Sequence, residues 1–560
     1  FRIAYYPGTE APADYVSQIS CQHIDGNIFA RPIVSMNRIF SAQGYRFYQS
    51  SYDEDLEGSW LSVNYDPWGT GITYTGFCLM GLGCLLLLCA RDGGFRRLLR
   101  HPQIRKGGLF LIALFGGCQL KADPALPVVK RVQADSLAIQ QVVYNDRVAP
   151  FNTLARDFVQ KIYGRPSFHR ITPEQVVSSW MLYPEEWNRT PIIRIKNQEL
   201  RTALGLKEEY ASLNHLFDGT QYKLQPLWQR EQGNRSKLAQ AIQETDEKVG
   251  LILMLRQGTL IRPLPPDVTP LSTQKVNAEL WYNRIPFSKI LFMVNLTLGF
   301  AAFGLFMFRM LTNRKEKAVS RRVWGTALCL TTLFHATGYA LRGYIRSGFP
   351  LSNGYETMQF VALAVLLTAC LLQRRFPFTR PFGFLLSGFT LLVAYLGEMN
   401  PQITPLMPVL ASPWLSWHVS LIMISYGLFA FTFLNGILAL CLIGKQKNTA
   451  SPITREQIEQ LTLLSRLLLY PGTFLLGTGI VLGAVWANVS WGSYWSWDPK
   501  EVWALAAFII YGISFHRKSL PCFQRPWLFH GYMIFAFAVV LMTYFGVNYL
   551  LGGMHSYANS

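Results

Sequence analysis

Apolar runs of about 20 residues recur along this 560-residue chain, near 70–90, 286–308, 323–342, 355–373, 381–397, 418–443, 468–488, 501–516 and 528–550. Wound as a helix, a run of that length crosses about 30 Å of hydrocarbon. A shorter run at 107–120, "GGLFLIALFGGCQL", is the tenth, because the charge alternation downstream fails without it. The rest of the composition agrees: 50% of residues are hydrophobic and only 15% charged, too oily for a soluble multidomain chain. The expected fold is a polytopic all-α membrane protein of about ten transmembrane helices.

Charge sets the direction. Lys and Arg number six in 91–107, six in 309–322, three in 374–380, four in 444–467 and three in 517–527. The alternate connections 343–354, 398–417, 489–500 and 551–560 hold only Arg346 and Lys500. The first set therefore faces the cytoplasm and the second lies outside. The net charge of +19 is accounted for in this way, as membrane orientation and not as nucleic-acid binding. None of the nine cysteines falls into CxxC spacing, so neither a dithiol redox site nor a haem-attachment motif is present.

Four regions follow. Residues 1–69 carry turn and strand signals, as in "GYRFYQSSYDEDLEGSWLSVNYDPWG", and read as a β-rich extracytoplasmic segment. Residues 70–120 give two spans around a basic loop, and 121–285 a mainly helical extracytoplasmic domain. In the latter, "TPEQVVSSW" predicts a helix start with Thr172 as N-cap, Pro173 at N1 and Gln175 at N3. Residues 286–560 supply the remaining eight spans. The chain begins at Phe1 without a leader-like stretch, and its start reads as the middle of a domain, so the sequence is expected to be the later part of a longer protein.

The stretch 488–505, "NVSWGSYWSWDPKEVWAL", puts Trp491, Trp495, Trp497 and Trp503 into one outer loop. Part of it is ordinary: Asp498, Pro499 and Glu501 match a capping box at a helix start, and Trp497 and Val502 are placed to staple it. An aromatic belt would explain one tryptophan. Four together, beside polar groups, suit a large planar apolar ligand with charged edges, and porphyrin fits that description.

Of nine histidines, His418 in "SPWLSWHVS" and His555 in "LGGMHSY" fall on the same outer face as this loop, and neutral imidazole is a standard axial ligand of haem iron. His516 lies at the inner end of the next span, and His335 inside another; ionisable groups at such depths are functional candidates. His23, His101, His169, His215 and His530 read as structural.

These residues resemble a known family. "WGSYWSWDPKEVWAL" is similar to the WWD signature of haem-handling proteins in cytochrome c maturation, and "RGYIRSGFPLSNGYE" at 342–356, with the tail "VNYLLGGMHSY", resembles the system II CcsA (ResC) branch. Residues 1–90 resemble the end of its partner CcsB (ResB). The chain thus resembles a fused CcsBA cytochrome c synthase lacking its N-terminal part.

The resemblance implies a protein of the bacterial cytoplasmic membrane, with the WWD loop and the large domain outside. It would carry haem (protohaem IX) to an outer site and join the vinyl groups to the two thiols of a CXXCH apocytochrome c. His418 and His555 correspond to the outer axial ligands and His516 to the histidine of the span after the loop. Trp491, Trp495, Trp497 and Asp498 would line the site, and no acid–base catalyst is singled out. The family's fourth histidine, in the CcsB half, has no counterpart before the span at 70–90. With no thiol pair in the chain, a separate thiol-reductant protein is implied. The alternative is a haem exporter or chaperone that presents haem without ligation; a membrane scaffold and a transporter of another solute are further rivals.

Overall fold

The computed structural model describes residues 1–6, 8–22, 28–53, 55–90, 93–99, 126–219, 221–231, 236–312, 314, 316–397, 399–405, 412–448, 452–517 and 519–551. The chain opens with eight strands: β1 (Arg2–Tyr5), β2 (Pro12–Gln18), β3 (Cys21–Gln22), β4 (Ile28–Ala30), β5 (Ile33–Ser35), β6 (Phe40–Ala42), β7 (Tyr45–Tyr52) and β8 (Ser59–Tyr65). Three antiparallel sheets result, two of three strands ordered β1-β2-β5 and β6-β7-β8, and the pair β3-β4. The β6-β7 hairpin turns through Gln43 and Gly44, both at positive φ (51° and 83°), the twist that matches right-handed strands. Ser17 of β2 joins the larger sheets, donating to Gln49 Oε1 of β7 at 2.5 Å and sharing a hydrogen bond with the Ser59 hydroxyl of β8 at 2.7 Å.

Asp66 then caps α1 (Pro67–Cys89), accepting from the Gly69 amide with Pro67 in the first turn, and α2 (Gly94–Leu99) follows. The domain expected on the outer side comes next. It contains α3 (Arg131–Ala138), the hairpin β9 (Gln141–Tyr144) and β10 (Arg147–Pro150), α4 (Phe151–Tyr163), α5 (Pro173–Leu182) and α6 (Pro184–Arg189). It continues through α7 (Gln198–Ala203), α8 (Gln225–Glu231), α9 (Lys237–Arg256) and α10 (Thr273–Arg284). Its core forms around Leu154, Trp180 and Trp187, all fully buried, with the two indoles stacked at 5.8 Å. The capping box read at Thr172 and Gln175 starts α5.

The remaining helices are α11 (Phe287–Leu311), α12 (Ala318–Arg346), α13 (Gly354–Leu372), α14 (Thr379–Leu396), α15 (Pro413–Asn448), α16 (Pro452–Trp491), α17 (Pro499–Ile513) and α18 (Pro526–Leu541). The last runs on as a π-helix over Met542–Leu551. Among the described residues, seven helical stretches are long and apolar enough to cross a membrane: Pro67–Leu99, Phe287–Met310, Gly354–Leu372, Thr379–Leu396, Pro413–Gln446, Thr454–Ser490 and Pro526–Leu551. The chain is thus a mostly helical protein of membrane type.

The expected spans at 323–342 and 501–516 fall on α12 and α17, which are not among those seven. Their physical difference is plain. α12 is 29 residues long but strongly one-sided, with Arg321, Arg322, Arg342 and Arg346 in it; α17 has 15 residues, about 22 Å of helix. The expected span at 107–120 lies outside the described residues.

Helix pairs meet through small residues and interior hydrogen bonds. A Cβ at Gly299 of α11 or Gly388 of α14 would stand 3.0 Å from the partner backbone at Leu385 or Leu296, so glycine sets that close approach. Asn295 donates to Ser387 at 3.1 Å, and Asn435 to Ser465 at 3.1 Å, joining α11 to α14 and α15 to α16.

The motif at 342–356 is an ionic clamp. Glu356, fully buried, accepts from Arg342 Nε at 2.7 Å with one oxygen and from Arg346 Nη1 at 2.6 Å with the other, and also from the Ser352 amide and hydroxyl. Arg342 reaches onward to the carbonyls of Pro401 (2.7 Å) and Gln402 (3.0 Å). That 399–405 loop in turn holds the outer domain, since Arg147 donates to the Ile403 carbonyl at 2.8 Å and Gln402 to Asp157 at 3.1 Å.

Candidate functional site at the tryptophan loop

Helices α15 and α16 run antiparallel and bring His418, near the start of α15, against the last third of α16. The ring's Nδ1 lies 2.7 Å from the carbonyl oxygen of Gly479. A carbonyl can only accept, so Nδ1 carries the proton and donates. The basic lone pair then resides on Nε2, the nitrogen that can bind a metal, and the hydrogen bond fixes the ring's orientation.

The glycines of "GTGIVLG" create the space for this. A Cβ at Gly483 would lie 2.6 Å from both Cε1 and Nδ1 of His418, and one at Gly479 would lie 2.7 Å from Ile422 Cδ1. Gly479 and Gly483, one turn apart, form the small-xxx-small pattern that lets membrane helices approach closely. Gly483 is eight residues before the end of α16, about 12 Å of helix rise below the loop. His418 is half-buried there.

The loop itself is shorter than the sequence suggested. Trp491 is the last residue of α16 and Trp503 belongs to α17, leaving Trp495 and Trp497 on the connection. Their rings meet edge to face, 6.0 Å apart at 87°, so these two form a corner and not one flat platform. Trp497 is 75% exposed and has φ of +59°, a left-handed conformation that costs a non-glycine residue about 1–3 kcal/mol. Val502 is also exposed, so the pair leaves no buried staple.

The loop is held by its acidic residues. Asp498, 5% exposed, caps α17 and accepts from the Lys500 amide at 3.1 Å. Glu501 closes the expected box and does more: one oxygen accepts from the amides of both Ser496 (2.8 Å) and Asp498 (3.2 Å). These bonds hold Trp497 between two anchored amides, which is how the strained φ persists.

The β-rich segment and α1 pack on the other side of this loop. Arg46 of β7 donates to Asn488 Oδ1 and to Thr70 Oγ1, each at 3.0 Å, and Asn64 of β8 donates to the Gly492 carbonyl at 3.0 Å. Gly492 has φ of +81°, and a Cβ there would be 3.1 Å from the Tyr48 ring. Tyr494 lies edge-on to Tyr74 and Phe77 of α1, at 5.9 and 6.1 Å. Sequence reading missed these partners, because nothing in residues 46 or 64 announces a contact more than 400 positions away.

The other predicted positions separate. His555 lies outside the described residues, as does the side chain of Trp491. His516 is at the far end of α17 from Asp498. The helix stops at Ile513, where Ser514 turns back to donate its hydroxyl to the Tyr511 carbonyl at 2.6 Å, so His516 sits exposed in the following turn and not within the span. His335 is buried in α12, with Nε2 3.1 Å from Gln359 Oε1. His530, read as structural, is buried in α18 with Nε2 2.9 Å from the Thr462 hydroxyl.

The family described as Cytochrome C assembly protein matches residues 351–555, from the ionic clamp through the tryptophan loop to the last histidine. Protein NrfI of Wolinella succinogenes is 31% identical over 645 aligned positions, covering 100% of this chain and 70% of NrfI. Cytochrome c biogenesis protein CcsA of Synechococcus sp. (strain CC9902) is 32% identical over 302 positions, 47% of this chain and 95% of CcsA. CcsA of Chlamydomonas reinhardtii is 34% identical over 258 positions, 44% of this chain and 70% of that protein. With NrfI aligned along the whole chain and CcsA along about half of it, this chain belongs to the NrfI and CcsA family of system II cytochrome c biogenesis proteins.

Proposed function

We propose that the chain is a cytochrome c synthase of the fused CcsBA type, which brings haem to the tryptophan loop and attaches it to the CXXCH cysteines of an apocytochrome c. The observation that carries the site is the His418–Gly479 hydrogen bond, which presents Nε2 as an axial donor. His555 is the proposed second axial ligand. Two imidazoles hold iron without occupying the porphyrin edge, so the vinyl groups stay open to an incoming peptide. The Trp495–Trp497 corner offers one ring face for stacking and one edge for contact, with Asp498 beside it, and Trp491 is a further proposed haem contact.

Haem supplies the vinyl groups. Each cysteine S–H adds across one C=C, sulfur to the carbon next to the ring and hydrogen to the terminal carbon, so no oxidant is consumed. The thiols must arrive reduced, which calls for a thiol-reductant protein as partner. The chain's own part is positioning: holding iron, excluding water and aligning the vinyl edge with the peptide. The Arg46 and Asn64 contacts support a joint role for the β-rich segment, as the face nearest the loop on which a polypeptide would rest.

In this reading α12 and α17 join the seven apolar helices as spans of a bacterial cytoplasmic membrane protein, with the loop outside. His516, at the basic end of α17, would meet haem on the inner side. The test is the visible spectrum of the purified full-length protein. Haem absorbance with a bis-imidazole signature, altered in His418→Ala and His555→Ala, is expected; a spectrum that both variants leave unchanged contradicts the outer site.

A further inference from the structure

At the basic end of the bundle, opposite the tryptophan loop, a cavity of about 320 Å³ opens between α11, α12, α14, α15 and α16. Its wall is apolar, with Phe306, Trp324, Phe378 and Leu442 among the lining side chains. Charged side chains also line it: Arg309, Arg314 and Arg380 against Glu316 and Glu456.

The charges are not balanced within the protein. Arg380, 2% exposed, forks onto Glu316 with Nη1 at 3.0 Å and Nη2 at 2.7 Å, and Arg309 donates to the same carboxylate at 3.2 Å. Two guanidiniums thus share one acid. Glu456 is engaged by Gln460 at 3.2 Å, and Arg314 is exposed at the rim. Arg380 Nε, buried, has no hydrogen-bond partner among the described residues, a donor left over in an apolar setting. With two guanidiniums on one acid and Arg314 exposed, an added anion has cationic partners here, and phosphate is the anion whose oxygens match guanidinium forks.

We propose that this cavity binds the headgroup of an anionic phospholipid, with its phosphate at Arg309 and Arg314 and its acyl chains along the apolar wall. Basic pockets between membrane helices on the basic side are where such headgroups bind. The lipid would tie α11, α12 and α14 to α15 and α16, the pair that carries His418. A free phosphate shares the chemistry but would leave the apolar wall unused.

The test is thermal melting and native mass spectrometry of the purified full-length protein in detergent, titrated with phosphatidylglycerol, phosphatidylcholine or inorganic phosphate. Phosphatidylglycerol is expected to raise the melting temperature and be retained in the gas phase; the other two are not. Arg309→Gln combined with Arg314→Gln, and separately Ala302→Phe, which fills the cavity from α11, should each weaken phosphatidylglycerol binding at least tenfold. Both variants must elute as the wild type does, so that lost binding reports the site and not unfolding. Equal stabilisation by phosphatidylcholine, an effect reproduced by phosphate alone, or phosphatidylglycerol binding that survives both variants overturns the proposal. Haem binding abolished by Ala302→Phe, with lipid binding unchanged, would assign the cavity to haem and likewise overturn it.

Discussion

His418 and Gly483 occupy the same space: the imidazole lies where a side chain on α16 would have to be, 2.6 Å from the position of a Cβ. The histidine's location therefore depends on a residue that carries no chemistry.

Gly483→Ala should displace the ring of His418 and break its bond to Gly479. We expect at least a tenfold fall in haem retained by the purified protein, with a spectrum resembling that of His418→Ala. Gly512→Ala, where nothing stands within 4 Å, is the control. It should leave haem unchanged and stabilise the helix by about 1 kcal/mol.

The clamp at 342–356 predicts a stability effect. Removing one partner from a buried, hydrogen-bonded ion pair costs about 3–5 kcal/mol, because the other charge is left unpaired. Glu356→Ala should therefore collapse yield and melting temperature. Arg342→Lys should be nearly as damaging, since an ammonium cannot hold Glu356 and the two loop carbonyls at once.

Arg46→Ala removes the bonds to Asn488 and Thr70, and Asn64→Ala the bond to Gly492. Each bond contributes about 0.5–1.5 kcal/mol. The double variant should increase hydrogen exchange at 488–498 and in β7–β8, and leave the outer-domain core around Trp180 unaffected. Protection at 488–498 equal to wild type would contradict the joint packing.

Asp157, in α4 of the outer domain, is pushed up to about 6. Burial is the main cause and Glu279 adds to it, against Arg156, Arg147 and the hydrogen bond from Gln402. A carboxyl raised on folding stabilises the fold below the unfolded aspartate range and loses that contribution as pH climbs through about 6. Asp157→Asn should thus raise the melting temperature at pH 7–8 and have little effect near pH 4. A gain that is the same at both pH values would contradict this origin.

What could be read in the sequence was mostly what closes within a few residues. The boxes Thr172–Gln175 and Asp498–Glu501 are local hydrogen bonds with a local signature, and both are present. Long apolar runs gave seven candidate helices because hydropathy is a property of composition. The end of α17 was less legible, since a serine hydroxyl returning to Tyr511 competes with helix continuation without changing hydropathy. The seat of His418 was not legible as such: "GTGIVLG" offers a close-approach pattern but does not say which ring fills it. Arg46 and Asn488, 442 residues apart, meet only because β7 packs beside the end of α16.

Ligation at this site is measured most directly as covalent haem on a CXXCH reporter coexpressed with the full-length protein in cells lacking any other maturation system. A haem-stained reporter that survives denaturation is expected, reduced by His418→Ala and restored in part by exogenous imidazole. A well-expressed protein that leaves the reporter unmodified would contradict ligation, and activity indifferent to His418→Ala would contradict the site.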